Sequence, residues 1–209
     1  MNNIRIASKL GLIAARQQTI ANAVIRTCLE NEEAVNESVN LMANWMKNRA
    51  PVRFVGAGRA LQAAIMPSNR LAHGGACISH MGGLVPMPAV EAGGGIIACS
   101  ASGATLSVLE AMKAARSRNA AIEILGLSRH NAREFRGLCD VFIGIHIPDG
   151  LFSNPLSALA DTEEYVMSEM LDALVVFAGL QNGYTDEQWR RGHEDIGPTG
   201  PHFWHAHVI

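Results

Sequence analysis

Three stretches of this chain carry residue types and spacings suited to chemistry. The first is Ser100-Ala101-Ser102-Gly103-Ala104-Thr105, which sets three hydroxyls and a glycine within six residues. It follows the apolar run Ile96-Ile97-Ala98-Cys99 and precedes the strongly helical Leu106–Arg116. Hydroxyls and unspent backbone N–H groups at a helix start hold an anion without needing a lysine. The plain alternative is a Ser/Thr-capped helix after a strand. No Walker lysine stands in the loop, which disfavours a nucleoside triphosphate. The second stretch is Gly56-Ala57-Gly58-Arg59, after the apolar Val52–Val55. It approaches a dinucleotide fingerprint, but the third glycine position is Leu61. No acidic residue for a ribose follows near Ser79-His80, so a nicotinamide-type site is disfavoured. Arg59 is a candidate partner for substrate oxygens, or one half of a surface ion pair.

The third stretch holds the proton-transfer candidates. Glu164 falls near the start of a long helix expected over about 157–180. There it is either a solvated acid favoured by the helix dipole, or a general base at the mouth of a partly apolar pocket. Glu163 is the adjacent alternative. His73 closes a helix just before Gly74-Gly75, where histidine commonly caps the last carbonyls; it is also a candidate second acid/base. His202, His205 and His207 have spacings of three and two, with no acidic or cysteine ligand between them. Packing or subunit contact through Phe203 and Trp204 accounts for that tail better than a metal does.

These residues need elements to hold them. Residues 4–29 and 32–48 read as two amphipathic helices, with apolar positions at helical spacing. After Pro51 the pattern changes to short apolar strands alternating with helices. Strands are expected at Val52–Val55, Ala76–Ser79, Gly95–Cys99, Ala121–Leu127 and Val141–Ile147. Helices are expected over 59–73, where Pro67 should start, kink or interrupt the run, and over 104–117, 131–137 and 157–180. Gly82–Gly95 and residues 148–156 read as loops. Such alternation means a parallel sheet covered on both faces, with ligands at the carboxyl ends of the strands. From 183 onward, Pro, Gly, Trp and His accumulate, and an irregular arm is expected. The organisation is a single domain over 1–182 and a C-terminal extension over 183–209.

Composition bounds the function. Of 209 residues 48% are hydrophobic and 17% charged, which suits a globular chain with a substantial core. The net charge of -2 offers no basic footprint for nucleic acid and no polybasic membrane patch. Ile6–Ala15 has a faint helix-turn-helix look, but lacks basic surroundings and a third helix. No apolar run approaches the roughly 18 residues of a membrane span. No secretory leader is read in residues 1–30. Cys28, Cys77, Cys99 and Cys139 form no Cys-x-x-Cys pair; read as reduced thiols, they favour the cytoplasm.

Taken together, Phe54–Arg59 and Ser100–Thr105 resemble the sugar isomerase (SIS) domain, and within it most nearly 6-phospho-3-hexuloisomerase. Arg70-Leu71-Ala72-His73 matches that family's Arg-Leu-x-His stretch. Leu171-Asp172-Ala173 matches a Leu-Asp-Ala sequence and so places the family's glutamate at Glu164. Thr185–Gln188 through Arg191-Gly192-His193 is similar to its final acidic-then-basic segment. The likeness spans about residues 30 to 195. It departs at Ala60, where the family has a phosphate-holding Ser, at Ala104, where it has Glu, and after Gly197.

The resemblance implies an α/β fold: a three-layer αβα sandwich with a five-stranded parallel sheet, SIS-type and Rossmann/flavodoxin-like. It implies catalytic Glu164 and His73, with Gly58, Arg59, Ser100, Ser102, Gly103 and Thr105 binding substrate phosphate. The implied reaction moves a carbonyl between adjacent carbons through an enediol(ate), as in 3-hexulose 6-phosphate to fructose 6-phosphate, with no metal or other cofactor required. A sugar-phosphate-binding regulatory module is the alternative. So is an isomerase of arabinose 5-phosphate, of a heptose phosphate, or of a sulfonated or unphosphorylated sugar. A homo-oligomer, dimer or tetramer, is implied, with His73 serving a neighbouring site.

Overall fold

The computed structural model describes residues 6–82, 90, 93–147 and 161–194. The apolar runs become five strands: β1 (Pro51–Gly56), β2 (Cys77–His80), β3 (Gly95–Ser100), β4 (Glu123–Arg129) and β5 (Val141–Ile145). The helices are α1 (Ile6–Glu30), α2 (Glu32–Lys47), α3 (Arg59–His73), α4 (Leu106–Arg118), α5 (Arg133–Arg136), α6 (Asp161–Gln181) and α7 (Asp186–Glu194). The strands form one sheet in the order β2-β1-β3-β4-β5, every neighbouring pair parallel.

Side-chain alternation along the strands divides the core into two layers. Phe54, Ile97, Leu125 and Ile143 point to one face, where α1, α2, α3 and α6 bury Ala23, Met42, Leu71 and Leu174. Val55, Ile96, Ala98 and Ile124 point to the other, under Val108 and Met112 of α4 and Phe135 of α5. Each fully buried Val, Leu, Ile, Phe or Met among them contributes roughly 1.5–3 kcal/mol. The result is the expected three-layer αβα sandwich with two N-terminal helices.

The α1–α2 corner covers the β5 edge of the sheet. Asn31, at that corner, makes no side-chain cap. Its amide instead donates to the Gly144 carbonyl at 3.0 Å and accepts from the Gly144 N–H at 2.9 Å. Those contacts satisfy backbone groups that an edge strand otherwise leaves open.

Two local expectations are revised. Pro67 lies inside α3 without ending it. Ala60, Ala64, Pro67 and Leu71 form one buried face of that helix, and their packing outweighs the lost backbone bond. The arm from 183 onward begins as a helix, α7, rather than irregularly. Thr185 and Gln188 form a capping box there: the Thr185 N–H donates to Gln188 Oε1 at 2.7 Å, and the Gln188 N–H to Thr185 Oγ1 at 3.4 Å. The loop over 148–156 and the tail residues His202, Phe203, Trp204, His205 and His207 lie outside the described residues.

Candidate active site

The strand order changes direction between β1 and β3: the chain leaves β1 for β2 on one side, and β3 for β4 on the other. The carboxyl ends at such a switch point open a crevice. Gly56 lies in register with Cys99, and Ser100 with Ser128. The turn Gly56–Arg59, the loop Ser100–Thr105 and the end of β4 therefore meet at one edge of the sheet.

The Ser100–Thr105 loop is organised around Ser100, which is 1% exposed. Its hydroxyl accepts the Gly103 N–H at 3.1 Å and lies 3.1 Å from Thr105 Oγ1. Ser102 Oγ accepts the Ala104 N–H at 3.2 Å. Gly103 has φ +66, a region costly for other residues. A Cβ built on it would lie 2.2 Å from Ala132 Cβ and 2.8 Å from Ser128 Oγ, so only glycine fits against the β4–α5 connection. Thr105 is the N-cap of α4, yet makes no side-chain cap bond. The first N–H groups of α4 have no intrahelical acceptor. They are the donors an anion would meet.

Across the crevice, α6 supplies two consecutive carboxylates close to Asp161. Glu164 Oε2 lies 2.8 Å from Arg59 Nε, with side-chain exposures of 12% and 51%. Glu163 turns the other way and is 2% exposed; its Oε1 accepts from Arg129 Nη2 at 2.8 Å. Successive residues on a helix differ by about 100° in direction, which sends one carboxylate toward α3 and the other toward β4. Gly58, with φ +56, turns the chain into α3 and so sets Arg59.

Ala60 is 5% exposed and belongs to the apolar core beneath this turn. Ala104 is exposed on the loop.

His73 is not at this end. It closes α3, about 21 Å from Arg59 along the helix at 1.5 Å per residue, at the opposite edge of the sheet. A Cβ on Gly192 of α7 would lie 2.9 Å from the His73 carbonyl oxygen, so α7 packs on that helix end. The neighbouring motif residues do meet α6: Arg70 Nε lies 2.7 Å from Asp172 Oδ1. Leu71 and Leu171 are both fully buried in the same layer.

Sequence reasoning missed Ser128 and Arg129. Their signal was available: a polar pair ending the apolar strand β4 at its carboxyl end, where ligands bind in such sheets. Two histidines also gather nearby. His130 and His146 stack with ring centroids 4.5 Å apart, and His146 Nδ1 lies 2.7 Å from Glu30 Oε2. Burial is the largest influence on His146 and holds its pKa below the ordinary imidazole value despite Glu30, so the contact is that of a neutral Nδ1–H donor. Among the described residues no cluster of three His, Cys, Asp or Glu side chains is arranged to hold a metal. Among them, too, no helix is long and apolar enough to cross a membrane.

No protein-family model and no curated protein matches this sequence. Solved structures do match its fold. One is MJ1247 of Methanococcus jannaschii, for which a 3-hexulose-6-phosphate isomerase function has been inferred from its crystal structure. The TM-score is 0.71 at 17% identity, over 85% of this chain and 96% of that one. Another is c3406 of E. coli CFT073 in complex with arabinose 5-phosphate, with TM-score 0.69 and 17% identity over 92% and 100% of the two chains. A third is the Vibrio vulnificus NanR protein complexed with ManNAc-6P, with TM-score 0.71 and 17% identity over 88% of this chain and 68% of that one. These likenesses define the fold class: an SIS-type αβα sandwich, a fold found here in proteins inferred to isomerise or seen to bind sugar phosphates.

Proposed function

We propose that this chain is a phosphosugar isomerase, with 3-hexulose 6-phosphate and fructose 6-phosphate as its substrate pair. The observation that carries this reading is Glu164, only 12% exposed and held by Arg59 across the crevice from the hydroxyl loop. Substrate phosphate sits on Ser100, Ser102, Gly103, Thr105 and the first N–H groups of α4. The carbon chain then extends toward α6. Arg59, half exposed, passes its N–H from Glu164 to a substrate oxygen and leaves the carboxylate to act as base. Glu164 takes the C2 proton of the 3-ketose, the electron pair forms the C2=C3 enediolate, and the proton returns at C3. The oxygen proton moves from O2 to O3, with no net oxidation. His73 would assist that transfer from a second copy of the chain, since its own site lies a helix length away. Exposed apolar side chains support such a homo-oligomer: Leu10, Ile13, Ile25 and Leu29 on α1, with Phe177 and Leu180 on α6.

The test is isotopic. Incubated in deuterated water with fructose 6-phosphate, the native enzyme should place deuterium on the carbon skeleton. Glu164→Gln should lower the rate by about 10²–10⁴-fold, the usual share of a general base. Full activity in that variant would remove Glu164 from the mechanism. Ala60 and Ala104 favour a second reading, a sugar-phosphate-binding regulatory module, and the likeness to NanR complexed with ManNAc-6P supports the binding part of it. Binding of a sugar phosphate without turnover or exchange would select it.

A further inference from the structure

Glu163 is the one charged side chain among the described residues that is fully buried. Burying a carboxylate is costly, and for stability alone an apolar residue of similar size does as well. Glu163 engages Arg129 through one oxygen, while its second oxygen is buried without a partner among the described residues. Arg129 ends β4 and stays 37% exposed. It spends one nitrogen on Glu163, and no other group among the described residues meets its remaining N–H donors. The residue before it, Ser128, lies under Gly103 of the hydroxyl loop; the residue after Glu163 is Glu164. Arg129 thus stands between the anion end of the crevice and the carboxylate end, held by a buried anchor.

We propose that Arg129 is a second substrate-binding arginine that reads the neutral hydroxyl chain of a singly phosphorylated sugar, and that Glu163 is its positioning residue. This rests on the phosphosugar reading above and deepens it. The charges argue for hydroxyls over a second anion. Arg59 is matched by Glu164 and Arg129 by Glu163, so these pairs leave no surplus cation on the α6 side. The pull on an anion at the loop then falls to the N–H groups of α4. A guanidinium fixed by a carboxylate still offers its free donors to sugar oxygens, in a rigid planar fork.

The test is calorimetric binding of fructose 6-phosphate, fructose 1,6-bisphosphate and inorganic phosphate. The native protein should bind fructose 6-phosphate at least as tightly as the bisphosphate. Arg129→Gln should weaken fructose 6-phosphate by about tenfold, the loss of one charge-assisted hydrogen bond, and leave inorganic phosphate within about twofold. Arg129→Met combined with Glu163→Leu removes both charges together, leaves no unpaired buried carboxylate, and should give the same pattern. Glu163→Gln keeps the acceptor and should bind nearly as the native protein, whereas Glu163→Ala should reproduce the arginine loss. In turnover, KM should rise with kcat nearly constant. Unchanged fructose 6-phosphate binding in folded variants would overturn the proposal, as would an equal loss of inorganic phosphate or a preference for the bisphosphate. A native protein that binds none of the three would instead remove the phosphosugar reading on which the proposal stands.

Discussion

Adding one methyl group at Gly103 tests the proposed anion cradle directly. Alanine there must adopt φ +66, at about 1–2 kcal/mol. Its Cβ must also find room where Ala132 Cβ is 2.2 Å away and Ser128 Oγ 2.8 Å away. Overpacking of that kind costs about 1–3 kcal/mol. Holding the loop in place therefore costs about 2–5 kcal/mol. Ala132 and Ser128 belong to packed elements, while Ser102 and Ala104 are exposed, so the loop itself will yield. Gly183→Ala, at the far end of α6, is the control: φ is +77 but nothing lies within 4 Å, so only backbone strain remains.

The assay is thermal unfolding with and without fructose 6-phosphate. At a hundredfold excess over Kd, ligand binding adds about 2.7 kcal/mol, or about 5–11 °C for a chain of this size. Gly103→Ala should melt below Gly183→Ala and lose most of the ligand-induced rise, which Gly183→Ala should keep. A Gly103→Ala protein that kept the native rise would refute the assignment of this loop to the anion.

Two further outcomes follow from side chains away from the loop. Burial depresses the pKa of both His80, whose Nε2 lies 2.7 Å from Ser68 Oγ, and His146. In the unfolded chain these histidines take up protons near pH 6.5, before they do in the folded one. Stability should thus be level above about pH 6.5 and fall as the pH drops toward the depressed folded values. Urea midpoints at pH 7.5 and 5.5 should diverge in the native protein and less so in His80→Gln/His146→Gln; an equal divergence would contradict this. Burial also pushes the thiols of Cys99 and Cys139 up to about 12, with Asp140 adding to the effect at Cys139. Iodoacetamide at pH 8 should leave both unmodified by mass spectrometry until the protein is unfolded, and rapid labelling of either would show the burial to be wrong.

The strands were legible because a doubly covered parallel sheet demands near-continuous apolar runs, and Ile96-Ile97-Ala98-Cys99 or Leu125-Gly126-Leu127 admit little else. The helix over 59–73 was legible in extent but not in continuity. Proline carries a local penalty, and the burial of Pro67 that offsets it is a tertiary effect that no local pattern shows. α7 was hidden by composition: Gly, Pro and His in the tail drew attention from Thr185-x-x-Gln188, a capping box readable from sequence. The site divides the same way. Ser100, Gly103 and Thr105 lie within six residues, so their meeting in one loop was visible from spacing. Arg59 with Glu164, and Arg129 with Glu163, are pairings across the fold that no local pattern announces.

The choice between Glu163 and Glu164 is where the structure adds most. Spacing leaves the two interchangeable, because a slip of one residue exchanges them. Packing does not. Val166, Met167, Met170, Leu171 and Leu174 are all buried at 1% exposure or less, which fixes the rotation of α6 about its axis. Exchanging the two carboxylates would need a turn of about 100° and would lift that apolar face from the sheet. Glu163 is therefore committed inward, with one oxygen bonded to Arg129 and the other sealed from solvent. A base must touch a substrate carbon, and a carboxylate 2% exposed has no surface left with which to do so. Glu164, one position on, keeps an open face toward the crevice. The same helix rotation that buries one acid leaves the other open to the crevice, where the proposed proton transfer needs it.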